Sequence, residues 1–152
     1  YSEEPTIYAS SEDNTFCFKK TEEQNSTVEI ADKIGEYIFE PNAAIMKAGA
    51  FKTICKQFGI KKIHINSHLY TSDNQINDFP GRQFKVESIG SLNKNSIPQT
   101  LKNISQANIT TRNFPLKPEE IRKKLKLKDG GEDYIFATTN AQEKRIIIHC
   151  KK

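Results

Sequence analysis

The chain has 152 residues, of which 36% are hydrophobic and 28% charged, a composition that suits one ordinary globular domain or two small ones with modest cores. No run approaches the roughly 20 apolar residues of a membrane span, and the acidic start at Tyr1 differs from a secretory signal, which is basic and then apolar. We therefore expect a cytoplasmic protein with no membrane partner. Because the sequence begins with Tyr rather than Met, we also expect it to be an excised part of a longer protein.

The net charge of +4 is unevenly distributed. Residues 1–40 contain ten acidic and three basic residues, a net −7, whereas residues 41–152 carry a net +11. This asymmetry is compatible with a face that binds a polyanion, because Lys and Arg that neutralise phosphates release counterions. A solvated surface with an acidic arm folded over it explains the same counts, so composition leaves both interpretations open.

The three cysteines are Cys17, Cys55 and Cys150. Their odd number and wide spacing match neither a disulfide framework nor a pair of zinc-binding cysteines. The pattern favours small apolar core residues in a reducing compartment, with reactive thiols as the alternative.

Two short strands are predicted in the first 33 residues, around 6–8 and 16–18, with mobile polar connections. A third strand covers 36–39. Pro41 ends or turns it, because proline has no N–H group to donate to a sheet. Asn42 then caps the helix that follows.

A single helix is predicted over 42–58, because apolar residues recur there at helical spacing and Gly59 supplies a left-handed stop. Its apolar stripe consists of Ala44, Ala48, Phe51, Cys55 and Phe58. Residues 62–70 alternate apolar and polar side chains, as a half-buried strand does. The first half is thus a strand–helix–strand unit.

The second half is predicted to have the order β-α-β-α-β-β, an α+β sandwich. It begins after the turn at 78–82 with a strand over 83–88. Ser96 and Gln99 have capping-box spacing, which predicts a short helix that buries Ile97, Leu101 and Ile104. The remaining predicted elements are a strand over 108–114, a helix over 118–128 and closing strands over 133–138 and 144–150.

The histidines do not predict a metal site. His64 and His68 have a zinc spacing only if they lie on a helix. Along a strand, four residues span about 13 Å, too far for both rings to hold one ion. His149, in the closing strand, is interpreted as an ordinary, partly buried histidine.

Catalytic and cofactor motifs are also missing from the sequence. It contains neither the Gly-x-Ser-x-Gly turn of a nucleophile elbow nor a phosphate-binding Gly-x-x-x-x-Gly-Lys loop. The order of strand, glycine-rich loop and helix that binds dinucleotides or S-adenosylmethionine is absent too. Gly130 and Gly131 are interpreted as a helix end and a turn. We therefore expect no catalytic residue and no cofactor in this chain.

One candidate anion or interface site surrounds the predicted end of the third strand. Glu40, Asn42 and Lys47 would lie near a helix N-terminus, whose free N–H groups attract anions. His68 and Arg82 complete the candidate. The structural alternative is that Pro41 ends the strand, Asn42 caps the helix and Arg82 pairs with Asp78 instead of binding a phosphate bidentately.

A candidate RNA-binding surface follows from the predicted helix over 118–128. Its basic residues are Arg122, Lys123, Lys124, Lys126 and Lys128. No aromatic residues are interleaved with them, so binding would depend on phosphates and shape. A solvated helix of the same composition is the alternative.

Two stretches resemble a known family. Residues 36–51, with 67–72 and 79–82, are similar to the ferredoxin-like domain in a bacterial family of class I S-adenosylmethionine-dependent methyltransferase-like proteins. Residues 125–137 and 146–151 resemble the THUMP-like domain that ends those proteins. The resemblance implies a ferredoxin-like domain over 34–80 and a THUMP-like domain over 81–152, preceded by a lead-in over 1–33.

The resemblance implies that the chain is the C-terminal part of such a protein. S-adenosylmethionine would bind to an upstream methyltransferase domain of the same chain, and THUMP-type domains are associated with holding structured RNA such as tRNA. The first hypothesis is therefore a non-catalytic module that positions RNA. The second is a protein-interaction or scaffolding module without nucleic-acid binding. The third, an enzyme working through Lys47, His68 and Arg82, is the least favoured.

Overall fold

Two β-sheets and five short helices make up the part of the chain that the computed structural model describes, residues 4–10, 15–93, 95–101 and 104–152. This is the α+β fold that the sequence predicts. The strands are β1 (Thr6–Ser10), β2 (Thr15–Lys19), β3 (Tyr37–Pro41), β4 (Lys61–His64), β5 (Ser67–Ser72), β6 (Gly81–Gly90), β7 (Gln106–Arg112), β8 (Lys128–Thr139) and β9 (Arg145–Lys151). The helices are α1 (Lys20–Asn25), α2 (Ala43–Ala48), α3 (Thr53–Phe58), α4 (Ile97–Thr100) and α5 (Pro118–Leu125).

The larger sheet has seven strands in the order β4-β5-β3-β6-β9-β8-β7. Its neighbouring strands are antiparallel except for β7 and β8, which are parallel and joined through α5. The sheet is continuous across the predicted boundary between the halves, because β3 pairs with β6 in a register that places Glu40 opposite Arg82. The two halves therefore share one hydrogen-bonded sheet.

A central core fills the concave face of this sheet. It consists of Ile38, Ile63, Leu69, Phe84, Phe136, Ile146, Ile148 and Cys150. The sheet must curl, because β5 and β7 contact each other although four strands separate them in the sheet order. Next to this contact, the buried hydroxyls of Ser67 in β5 and Thr138 in β8 form a 2.9 Å hydrogen bond. Both halves of the chain thus contribute to one core.

Two further cores lie beneath the helices. Phe39 and Tyr70 pack with Ile45 of α2, Ile54 of α3 and the aromatic side chains of β2. On the other half of the sheet, Ile121 and Leu125 of α5 pack on β7, β8 and β9. The predicted strands near 6–8 and 16–18 are confirmed as β1 and β2. The connection predicted to be mobile, 11–14, lies outside the described residues.

The helix predicted over 42–58 is wrong in one respect, because the structure contains two helices there. Gly49 adopts a left-handed conformation, with φ of 78°, and ends α2. Its N–H group donates to the carbonyls of Ile45 and Met46. The start of α3 is capped from a distance, since the Glu23 carboxylate accepts the backbone N–H groups of Lys52 and Thr53. A cap from another part of the chain leaves no local sequence signal.

The strand predicted over 62–70 is also wrong, because it is a hairpin. β4 ends at His64 and β5 begins at Ser67, and these two residues pair across a two-residue turn. His64 and Ser67 are three positions apart, so a two-residue turn alone would put the alternation of apolar and polar side chains out of step. The register shift between Lys62 and His64 restores it, and Ile63 and Leu69 therefore enter the same core. The argument that placed His64 and His68 about 13 Å apart along one strand therefore does not apply.

The helix predicted over 118–128 ends earlier, at Leu125. Lys126 takes a left-handed conformation with φ of 56°, and its N–H group reaches the carbonyls of Arg122 and Lys123. Lys128 already belongs to β8, so Lys126 and Lys128 do not lie on the helix. Gly130 and Gly131 lie inside β8 and not at a helix end. At this point of β8 the pairing with β7 changes register, between Ala107 and Asn108 of β7.

The predicted capping box at Ser96 is not formed. Ser96 itself has a helical backbone, and its hydroxyl accepts the N–H group of Ser91 instead of one from its own helix. The predicted apolar side is correct: Leu101 is buried, and Ile97 and Ile104 pack against the same core. Residues 102 and 103 of this predicted helix lie outside the described residues.

Within the described ranges, no helix combines the length and the apolar character needed to cross a membrane.

Candidate functional site

An arginine cluster, formed by Glu40, Arg82 and Arg112, lies at one end of the central core. Arg82 donates from Nε to Glu40 Oε1 at 2.8 Å, and Arg112 donates from Nη2 to Glu40 Oε2 at 3.2 Å. The Glu40 side chain is 13% exposed, whereas the two arginines are about 40% exposed. The cluster joins β3 and β6 to β7 at the far edge of the sheet. The alternative pairing of Arg82 with Asp78 is therefore wrong.

Arg82 is further held by aromatic rings. Its guanidinium carbon lies 5.2 Å from the centroid of Phe84 and 5.7 Å from that of Tyr134. A guanidinium over an aromatic face gains cation–π attraction while its edge remains available for hydrogen bonds. This contact fixes the plane of the Arg82 side chain.

The other members of the predicted anion site do not join the arginine cluster. Asn42 caps α2, since its side-chain oxygen accepts the N–H group of Ile45 at 3.0 Å. Lys47 is exposed in the last turn of that helix. His68 lies on the opposite face of the sheet and stacks on Phe51, with ring centroids 4.0 Å apart. The structure thus brings together Glu40 and Arg82 but not Lys47 or His68.

The charge state of His68 is controlled by its surroundings. Burial lowers its pKa below the ordinary value, and the nearby positive charges of Lys62 and Arg112 lower it further. Its Nδ1 atom is buried without a hydrogen-bond partner in the described part of the protein. The ring is therefore held neutral, which suits packing on Phe51 better than binding an anion.

Arg112 is the functional candidate that sequence reasoning missed. It ends β7, 72 residues away from Glu40, and no local motif surrounds it. The sequence did offer one indication of where Arg112 lies. Along β7, Ala107 and Ile109 face the core beneath α5, and Arg112 is an odd number of positions from each of them, so it faces the other side of the sheet. That alternation places Arg112 on the concave face, but its partner there is a long-range contact.

The basic segment, residues 122–128, contains the five predicted RNA-binding residues. Lys123, Lys124, Lys126 and Lys128 are exposed. They follow one another through the end of α5, the left-handed residue and the first position of β8. The segment therefore offers four solvated lysines in a turn-like arrangement, not along a single helix face.

Arg122 differs from the lysines because it is partly buried. It donates from Nη2 to Asp129 Oδ1 at 3.2 Å, and its side chain is 27% exposed. Its Nε atom is buried with no partner among the described residues. A guanidinium that already has a carboxylate partner contributes less positive potential than the free lysines beside it.

His64 connects the two halves of the sheet. Its Nδ1 accepts the N–H group of Asn66 at 3.0 Å, so the proton lies on Nε2, which donates to Glu143 Oε1 at 2.7 Å. Asn113 also contacts Nδ1 at 3.2 Å. In the part of the chain that the structure describes, no three His, Cys, Asp or Glu side chains are arranged to hold a metal ion.

His149 pairs with Asp133 on the neighbouring strand, with 2.6 Å between Nε2 and Oδ1. The imidazole side chain is 8% exposed. Its interpretation as an ordinary, partly buried histidine agrees with this pairing.

Two of the three cysteines lie in cores, as predicted. Burial raises the pKa of the Cys55 thiol to about 12 and also raises that of Cys150, so both stay protonated and unreactive at neutral pH. The prediction is wrong for Cys17, which is exposed. It lies between Phe16 and Phe18, and the alternation of β2 buries those two rings and turns Cys17 outward.

Comparison with known proteins identifies the two halves. Residues 37–80 match the family model of a ferredoxin-like domain, and residues 81–152 match that of a THUMP domain-like region. The chain carries a ferredoxin-like domain followed by a THUMP-like domain. This confirms the resemblance seen in the sequence.

A solved structure supports the assignment over nearly the whole chain. The crystal structure of a "putative methyltransferase" from Porphyromonas gingivalis W83 is 39% identical in sequence, with a TM-score of 0.86. The match covers 97% of this chain and 38% of the Porphyromonas protein. No curated protein sequence matches the chain. The ferredoxin-like and THUMP-like domains are accessory types, and this chain spans about two fifths of the length of the Porphyromonas protein.

Proposed function

We propose that this chain is the non-catalytic accessory region of an S-adenosylmethionine-dependent methyltransferase and that it positions a structured RNA, such as a tRNA, for methylation elsewhere in the protein. The observation that carries the proposal is the match of almost the entire chain to 38% of a putative methyltransferase, with a THUMP-like domain inside the matched region. The proposal places the protein in the cytoplasm, where RNA is modified and thiols stay reduced.

The basic segment is the proposed RNA contact. Its four exposed lysines face solvent without ion pairs among the described residues, while Arg122 is engaged by Asp129. Lysines without carboxylate partners keep their full charge for phosphates, and each phosphate they neutralise releases counterions. Such contacts follow the backbone of a folded RNA without reading its sequence.

The residues of this chain do not fit an S-adenosylmethionine site. A class I site lies beyond the carboxyl ends of parallel strands, at a glycine-rich loop before a helix. In the described ranges, β7 and β8 are the parallel pair, and the loop from β7 to α5, residues 113–117, contains no glycine. The proposal therefore assigns the cofactor to an upstream domain.

The test measures tRNA binding by fluorescence anisotropy over a series of salt concentrations. The variant Lys123→Glu/Lys124→Glu/Lys126→Glu should reduce the slope of log affinity against log salt by about 2 to 3, because each lost phosphate contact removes roughly 0.9. The matched control is Lys56→Glu/Lys85→Glu/Lys144→Glu, which changes the charge equally on other exposed lysines. Failure of the unmodified protein to bind tRNA at low salt would contradict the proposal, and so would an equal loss in both variants.

A protein-interaction or scaffolding role is the second candidate, and one cavity favours it. A cavity of about 290 Å³ is lined by Ala31, Ile34, Ile63, Ile89 and Ile146, among other residues, and the Ile89 side chain is 45% exposed. Polar residues (Asp32, Lys33, Asn140 and Gln142) also line the cavity, and an apolar centre with a polar rim is the usual composition of a protein interface. This role predicts that Ile89→Asp releases the chain from a separately expressed catalytic domain while RNA binding is absent.

A further inference from the structure

The arginine cluster has two features of a ligand site that its ion pairs alone do not explain. Its two guanidiniums share one carboxylate, so the cluster carries a net charge of +1 at the end of an apolar core. The guanidiniums also come from different parts of the sheet, since Arg82 lies in β6 and Arg112 at the end of β7. A structural ion pair needs only one arginine for one glutamate.

Glu40 holds both arginines in fixed positions. It lies opposite Arg82 in the β3–β6 pairing, and each of its oxygens accepts from a different guanidinium. At 13% exposure, the Glu40 side chain is largely shielded from solvent, whereas the two arginines are about 40% exposed. Glu40 therefore orients the two guanidiniums while they remain accessible.

Several donors of the cluster remain unused. Arg82 uses Nε and Nη2 toward Glu40, and its Nη1 group has no acceptor among the described residues. Arg112 uses Nη2 toward Glu40 and Nη1 toward the Thr111 carbonyl, which leaves its Nε–H group free of a described acceptor. Neither remaining nitrogen is among the buried unpaired atoms. Water or a ligand can therefore reach these donors.

The chemistry of the donors selects the class of ligand. Two guanidiniums that share one carboxylate and keep unused N–H groups match an oxyanion that has several acceptor oxygens, and phosphate groups are bound by arginine in this way. Phe84 and Tyr134 hold the Arg82 plane, so little side-chain freedom is lost on binding. We propose that Arg82 and Arg112 form a phosphate-binding site, with Glu40 as the residue that positions them.

The phosphate has two possible sources, which share this chemistry. One is a phosphodiester of the RNA, and that assignment rests on the proposed function. The other is a free phosphate group or a nucleotide. The site lies at the junction of the ferredoxin-like and THUMP-like domains, so an RNA phosphate bound there would contact both domains.

The first experiment follows the arginine side-chain Nε–H signals by NMR while inorganic phosphate is added at constant ionic strength. The expected result is a saturable shift of the Arg82 and Arg112 signals and no saturable shift of Arg145, which is exposed elsewhere. The variant Arg82→Lys/Arg112→Lys keeps the charge but loses the guanidiniums, and it should bind phosphate about tenfold more weakly or worse. Thermal unfolding checks that this variant is folded. Shifts that do not saturate, or that are equal at Arg145, would overturn the site.

The second experiment repeats the tRNA titration with Arg82→Gln/Arg112→Gln, using Arg145→Gln/Lys85→Gln as the control of equal charge. A salt slope lowered by about 1 to 2 in the first variant alone supports an RNA phosphate. Saturable phosphate binding without any tRNA binding supports the site with a free phosphate as its ligand, and it contradicts the proposed function. Normal tRNA binding together with no saturable phosphate shift overturns this inference and leaves the proposed function intact. If the double glutamine variant unfolds, Arg112→Gln replaces it with Arg145→Gln as its control, and the expected reduction of the salt slope is then about 1.

Discussion

His68 links burial to the pH dependence of stability. Its folded pKa is lowered, first by burial and then by Lys62 and Arg112, whereas the unfolded chain has the ordinary value of about 6.5. Between these two values the unfolded state binds a proton that the folded state does not, so folding loses stability as the pH falls below about 6.5. The loss stops once the pH is below the folded pKa.

The first prediction follows from this difference. His68→Phe keeps an aromatic ring on Phe51 but cannot be protonated, so its free energy of unfolding should fall less between pH 7 and pH 5 than that of the unmodified protein. Urea unfolding at several pH values measures this difference. Carboxylates titrate equally in both proteins and cancel in the comparison. Identical pH profiles would show that His68 is not held neutral by the fold.

Residue-scale prediction succeeded where a side chain acts locally. Asn42 caps α2 as its position after Pro41 predicted. Glu40 and Arg82 were both selected, but their pairing with each other and with Arg112 was not, because it depends on the β3–β6 register and on the curl of the sheet. The same limit applies to Glu23, which caps a helix 29 or 30 residues away.

The end of α5 provides a test at the scale of an element. Lys126 has φ of 56°, a left-handed conformation that costs a non-glycine residue roughly 1 kcal/mol or more. Lys126→Gly should therefore stabilise the protein by about 0.5 to 1 kcal/mol, after allowance for the extra freedom of glycine in the unfolded chain. Chemical denaturation measures the change.

The matched control for this change is Lys124→Gly, which alters the same residue type two positions earlier. Lys124 is inside the helix, where glycine is expected to destabilise by about 1 kcal/mol. Opposite signs at 124 and 126 are the expected result. If both substitutions destabilised the protein, the helix would continue past Leu125, as the sequence pattern alone suggested.

The contact between α4 and β6 depends on the absence of a side chain at Gly90. A Cβ atom there would lie 2.5 Å from Ser96 Oγ and also overlap Thr100 Oγ1. Gly90→Ala should therefore destabilise the protein by about 1 to 3 kcal/mol, the usual cost of overpacking. Adding Thr100→Ala relieves part of the overlap, so the double variant should be more stable than the sum of the single changes predicts. Simple additivity in urea unfolding would argue against this close approach.

Element prediction failed where two elements share one sequence pattern. The alternation over 62–70 continues through the turn of the β4–β5 hairpin because a register shift between Lys62 and His64 compensates for the two-residue turn. The helical pattern over 42–58 likewise continues past Gly49, although the backbone leaves the helix there. At 128–131, two glycines indicated a helix end, but a register jump against β7 accommodates them inside a strand. Whether a segment is helical or extended was therefore easier to predict from the sequence than the position at which a turn or a register jump interrupts it.

At the scale of the whole molecule, the two domains share one sheet and one core. The ferredoxin-like and THUMP-like regions meet at residues 80 and 81, yet the sheet crosses that point through β3 and β6. The central core takes Leu69 from the first region and Phe136 from the second. The motifs of the sequence divide it into two halves. They do not specify the order of the strands, and the shared sheet and the shared core depend on that order.

A shared core predicts that damage in one domain loosens the other. Leu69 is fully buried in β5, so Leu69→Ala should cost about 2 to 5 kcal/mol. Because β5 and β8 line the same core and Ser67 bonds Thr138, hydrogen exchange should accelerate as much in β8 and β9 as in β4 and β5. Tyr8→Ala, at a side chain that is 67% exposed, is the control and should leave both regions protected. Faster exchange confined to β3, β4 and β5 would mean that the THUMP-like region folds independently, and a ligand at the arginine cluster would then bridge two separate units instead of binding one rigid sheet.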